Sequence, residues 1–180
     1  MVRALSLLAK INATVCGAAR NLAGFLLVAI LLVVVLQIVF RYVLNDSLIW
    51  SEEIAKAMMV WTAFLVAPWA YRIRANVRIE LFINEMPPVF RNLLTLSLNL
   101  LVFWIIVVFF WESIGFWQRG LMVRADSLPI QVAWFYSIVP VVFSIMLFVG
   151  AEQLLRNLLT LMHPGQDFDL PPFDDAYDLE

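Results

Sequence analysis

Residues 41–80 read RYVLNDSLIWSEEIAKAMMVWTAFLVAPWAYRIRANVRIE. A charged turn opens this stretch, an uncharged run from Ala57 to Tyr71 follows, and three arginines, Arg72, Arg74 and Arg78, close it. Trp50 is separated from Trp69 and Tyr71 by 19 and 21 residues. At about 1.5 Å per residue the two aromatic levels stand roughly 30 Å apart, the thickness of a bilayer's hydrocarbon core. Aromatic and basic residues collect at those two depths, so Trp50, Trp69, Tyr71, Arg72, Arg74 and Arg78 read as interfacial anchors. Glu52, Glu53 and Lys56 at the entry exceed an ordinary polar cap and are the first candidates for function.

Composition agrees with a membrane reading. The 180-residue chain is 63% hydrophobic and 14% charged, against about 25% charged for a soluble domain, and its mean hydropathy is +0.89. The net charge of −2 is set by six acids in the last 14 residues, and the rest of the chain carries +4. The single cysteine, Cys16, rules out an internal disulfide, and the single histidine, His163, lies outside every apolar run. Haem held by paired histidines in a helix bundle is therefore not available, and no cofactor or metal site is expected.

Outward from this stretch, the charge-free run 21–40 reads as a first span, preceded by a basic segment, residues 1–20. That run is too long for a cleavable signal peptide, which has about 7–15 apolar residues. Gln37 reads as a packed or interface-facing amide. Asp46, Ser47 or Ser51 can cap the second span; Glu52 and Glu53 suit its positive end, and Glu52/Lys56 form a favourable i, i+4 pair. These features satisfy a plain interfacial cap and equally a polar contact surface for a partner. Ile79, Phe82, Ile83 and Met86 then mark a short amphipathic helix in the interface. Pro87 and Pro88 end it. A third span carries Thr95, Ser97 and Asn99, polar groups of the kind that join helices, and Glu112 near its far end. The fourth contains Pro140, which favours a kink.

The expectation is an all-α membrane protein of four transmembrane helices, about 21–41, 50–71, 89–112 and 128–152, with a short interfacial amphipathic helix. Residues 156–180 form an acidic tail expected to be disordered. Eight of the 12 lysines and arginines fall on the side of the termini, which predicts both termini in the cytoplasm. Arg41, Asp46, Glu52, Glu53, Arg119, Arg124 and Asp126 then share the periplasmic face. No phosphate loop or nucleic-acid motif occurs, and the span centres lack acids and bases.

The order of motifs, Arg41, NDSLIWSEE, the helix closing in RIE, MPPVFR and ADSLPIQVAWFYSIVP, resembles the small membrane subunit of TRAP transporters, the tripartite ATP-independent periplasmic carriers (DctQ family). The likeness covers about residues 20–155; where the family has a histidine before RIE, this chain has Asn76. The resemblance implies a non-catalytic subunit of a carrier that imports a carboxylate-bearing solute with sodium. It implies a large TRAP membrane subunit, which moves the solute by an elevator motion and holds the sodium, and a periplasmic substrate-binding protein; membrane lipid surrounds the spans. Two other classes remain: a self-sufficient four-helix transporter acting as a homodimer, which needs a membrane-embedded carboxylate that the first span lacks, and a membrane enzyme or redox anchor, disfavoured by the missing histidines.

Overall fold

The computed structural model describes residues 2–46, 48–73 and 88–162. Five helices follow in order: α1 (Val2–Tyr42), α2 (Ile49–Arg72), α3 (Pro88–Gly120), the single turn α4 (Ala133–Tyr136) and α5 (Ile138–Met162). Four helical stretches, Leu5–Tyr42, Ile49–Arg72, Leu93–Gly120 and Ala133–Thr160, are long and apolar enough to cross a membrane. The described residues hold no strand, only an isolated antiparallel bridge between Arg124 and Gln131. The amphipathic segment 79–86 and the acidic tail beyond Met162 lie outside the described residues.

Three boundaries depart from expectation, each for a local reason. α1 starts at Val2 rather than near residue 21, because residues 2–20 contain no proline and put Leu5, Asn12, Cys16, Ala19 and Ala23 on one buried face, a heptad-like seam that only a continuous helix presents. α2 is entered through Leu48 with no side-chain cap; Ser51 instead turns its hydroxyl back to the Leu48 carbonyl at 2.7 Å. The fourth span starts later than residue 128. Pro140 has no N–H to donate to the Tyr136 carbonyl, so one i→i−4 backbone hydrogen bond is absent within the stretch. Ser137 keeps helical backbone angles, φ −59° and ψ −26°, so only the hydrogen-bond ladder is interrupted between α4 and α5.

α1, α2 and α5 pack around one another, and α3 leans on α5 and α4. The core of the three-helix part is Ala19, Ala23, Leu65, Ile138 and Val142. Small residues on α1 let the backbones approach, the usual basis of helix association in lipid, where burial of apolar surface alone gives no advantage. Phe143 links the outlying helix to the rest, stacking on Phe109 of α3 at 5.6 Å and meeting Phe64 of α2 edge-on at 6.5 Å.

Between α1 and α2 the chain turns through Asn45 at φ 51°, a left-handed conformation that asparagine tolerates better than most residues. The other tight point is Gly120: a Cβ there would stand 2.9 Å from the Ala133 Cα and 3.0 Å from the Ala133 nitrogen. Gly120→Ala must displace backbone. At Gly150 the closest atom, at 2.7 Å, is a ring carbon of Phe103, which can rotate away. In detergent, Gly120→Ala is therefore expected to lower the thermal midpoint more than Gly150→Ala, by an overpacking cost of about 1–3 kcal/mol. Equal midpoints for the two variants would contradict this packing.

Candidate functional site

At the end of the bundle where α1 meets α2, a charged rim is built around Glu53. In the first turns of α2, its carboxylate accepts hydrogen bonds from the backbone N–H of Asp126 at 3.3 Å, the backbone N–H of Ser127 at 3.1 Å, and the Ser127 hydroxyl. The carboxylate ties α2 to the loop after α3, 74 residues away in sequence. Within that loop, Ala125 N–H donates to the Ile130 carbonyl and Val132 N–H to that of Val123, at 3.0 Å each. Trp61 completes the tie by donating its indole N–H to the Phe135 carbonyl at 2.9 Å.

The remaining rim residues divide. Glu52 pairs with Lys56 at 2.6 Å, both side chains exposed. Arg41 lies over the ring of its neighbour Tyr42, 5.8 Å from the centroid. Asp46, Arg124 and Asp126 are exposed. Arg119 does not project with them: its guanidinium runs back along α3, an Nη atom 3.6 Å from where a Gly115 Cβ would be. Glu53, Asp126 and Ser127 are thus brought together, while Arg41, Asp46 and Arg124 stay separate charges around them. Glu53 itself serves as the loop's fastener.

At the opposite end lies a cluster that sequence reading missed. Glu152 is fully buried. It accepts from Asn12 of α1 at 2.8 Å, from Arg72 of α2 at 3.4 Å, and from Arg156 one turn along α5 at 3.0 and 2.7 Å. Arg72 also donates to the Ala9 carbonyl at 3.3 Å, Asn12 to the Phe148 carbonyl at 3.1 Å, and the buried Gln153 to the Tyr71 carbonyl at 2.8 Å. Arg72, half-buried, is therefore a tie between helices rather than a free charge at the end of α2. Just above it, Arg20 lies 5.3 Å over the Trp69 ring. Trp50 is 39% exposed at the rim; Arg74 and Arg78 lie outside the described residues. The Glu152/Arg156 spacing was the available signal; that Asn12 and Arg72 would converge on it was not legible locally.

Neither arrangement resembles a catalytic centre, and among the described residues no group of histidine, cysteine or acidic side chains could hold a metal ion. Residues 30–160 match the family model of the tripartite ATP-independent periplasmic transporters, DctQ component. The chain belongs to the DctQ family. It is 29% identical over 137 residues to the sialic acid TRAP transporter small permease protein SiaQ of Vibrio cholerae, covering 76% of this chain and 79% of that one. It is also 32% identical over 140 residues to the sialic acid TRAP transporter permease protein SiaT of Haemophilus influenzae, and 25% identical over 144 residues to the isethionate TRAP transporter permease protein DctMQ of Oleidesulfovibrio alaskensis. The chain covers 77% and 76% of itself in those two matches but spans only 23% and 22% of the relatives' length.

As a DctQ-family protein with four membrane-length helices, the chain is a TRAP small permease subunit, multi-pass in the bacterial inner membrane, and a transport component rather than an enzyme. The two polar ties then have separate expected signatures. Glu53→Ala frees the 121–132 loop, so trypsin should cleave after Arg124 several times faster while the helical circular dichroism is unchanged; an unaltered cleavage rate would show that Glu53 does not hold the loop. Glu152→Ala leaves two mostly buried arginines without their carboxylate, a loss of about 3–5 kcal/mol. It should lower the thermal midpoint and the monodisperse yield far more than Glu52→Ala, and comparable yields would count against the cluster's role.

Proposed function

We propose that this chain is the non-catalytic scaffold subunit of a TRAP-type importer that brings in a carboxylate-bearing solute with sodium. In this reading it holds a large membrane subunit in place, and its charged rim, facing the periplasm, receives a soluble substrate-binding protein. The observation that carries the reading is the distribution of charge: the described ionisable groups gather at the two ends of the bundle, and the only fully buried acid, Glu152, is already neutralised by arginines. A carrier's own site needs ionisable groups or broken helices near mid-membrane. The relatives SiaT and DctMQ, in which the matching section is about a quarter or less of a longer permease, support a large partner for this chain. Both termini are cytoplasmic in this arrangement, by the asymmetry of lysine and arginine.

The rim charges free to meet a binding protein are Arg41, Asp46, Arg124 and Asp126, since Glu53 is engaged with the loop and Arg119 is folded back along α3. Exposed charges of this kind govern encounter and orientation more than final affinity. In vesicles reconstituted with this chain, its large partner and the binding protein, the double reversal Arg41→Glu, Arg124→Glu should slow uptake about three- to tenfold at low binding-protein concentration. Saturating binding protein should restore uptake, and the sodium requirement should stay the same. Uptake unchanged at every concentration would remove the docking role. A changed sodium stoichiometry would remove the scaffold reading.

A further inference from the structure

α3 touches α5 but stands away from α2, and the space between them is an apolar groove of about 560 Å³ open to the side. Val60 and Phe64 of α2, Phe109 and Phe116 of α3, and Val139 and Phe143 of α5 line it. Phe116 is stacked on Tyr136 at 4.3 Å, closing the rim end. That volume falls in the range of ordinary small-molecule sites, about 300–1,000 Å³. Two opposite charges, Glu112 and Arg119, line the same groove. They lie on one face of α3 on either side of Gly115, at i, i+3 and i+7, and the Arg119 guanidinium lies back along the helix, an Nη atom 3.6 Å from where a Gly115 Cβ would stand. Among the described residues the two form no ion pair with each other, and neither makes a side-chain hydrogen bond.

An apolar slot reached past one free cation and one free anion fits a ligand with an apolar tail and a head of both signs. We infer that the α2–α3–α5 groove binds one phospholipid with a zwitterionic, primary-ammonium head group. The phosphate sits on Arg119, the ammonium on Glu112, and an acyl chain lies along Phe109, Phe143 and Phe64. A helix of a partner protein would have to bring an acid to Arg119 and a base to Glu112 to avoid burying unpaired charges, a costly arrangement, whereas a single zwitterionic head group carries both. A lipid leaves both charges at head-group depth. Glu112 discriminates: it attracts an ammonium and repels a head group that carries only negative charge.

The test is native mass spectrometry of the full chain, delipidated in detergent and offered equal phosphatidylethanolamine and phosphatidylglycerol. One phosphatidylethanolamine per chain should be retained, about fivefold over phosphatidylglycerol, the most that a partly exposed charge contact supplies. Arg119→Ala should lower retention of both lipids, Glu112→Arg should reverse the preference, and Trp111→Ala, on the same helix but outside the groove, should change neither. Equal retention of the two lipids by the unmodified chain would overturn the inference, as would an unchanged preference in Glu112→Arg. Should that variant lose its helical spectrum, Gly115→Leu fills the mouth without altering charge, and undiminished lipid retention in it would be equally decisive. A photo-crosslinker at Phe109 in intact membranes should capture lipid; capture of protein alone would assign the groove to a partner helix instead.

Discussion

A carboxylate with no access to solvent has to be neutralised where it stands, and Glu152 imposes that requirement on three helices at once. Its own helix supplies Arg156; α2 must end so that Arg72 reaches inward, and α1 must continue past the hydrocarbon so that Asn12 can donate. Lipid tails are as apolar as leucine, so burying aliphatic side chains does little to choose among helix arrangements in a membrane. Polar ties of this kind select one. The seam of Asn12, Cys16, Ala19 and Ala23 then sets the spacing, because small side chains admit α2 and α5 at close range. α3 is held by aromatic stacking on Phe143 and by the tight passage at Gly120.

The other end of the molecule uses the same chemistry for a different purpose. Glu53 accepts from two consecutive backbone N–H groups and a hydroxyl, converting a loop between helices into a fixed surface. In the proposed docking role such a surface needs little affinity of its own; it needs its charges to stay in register, and a fastened loop supplies that. The two arrangements thus divide the chain into an end that fixes helix positions and an end that presents groups outward.

Much of this architecture was written in the sequence where the signal is local. Charge-free runs marked four crossings, and the order of NDSLIWSEE, MPPVFR and ADSLPIQVAWFYSIVP carried the family. Signals that depend on tertiary partners were misread. Residues 1–20 read as a basic segment ahead of the first span, whereas they continue α1 and bury one face, a pattern visible in the spacing of Asn12, Cys16, Ala19 and Ala23. Arg72 had the position of a headgroup anchor, and only its approach to Glu152, 80 residues on, turns it inward. Pro140, by contrast, is a local signal, and the hydrogen bonding of the fourth span is interrupted one turn before it, at Ser137. The Glu53 fastening joins positions 74 residues apart, beyond what periodicity can report.

The inward turn of Arg72 also bears on how the chain meets bilayers of different thickness. From Lys56 to Arg72 α2 rises about 24 Å, somewhat less than the roughly 30 Å of an average hydrocarbon core. A helix with long basic side chains at both ends would share that mismatch by reaching out at either interface. Here one end is pinned, its guanidinium held by a buried carboxylate, and the other is adjustable, the Lys56 side chain being 72% exposed and paired only with the likewise exposed Glu52 one turn earlier. Any thickening or thinning of the membrane is therefore absorbed on the Lys56 side, beside the fastened loop, and the three-helix junction keeps its geometry while the depth of the rim varies.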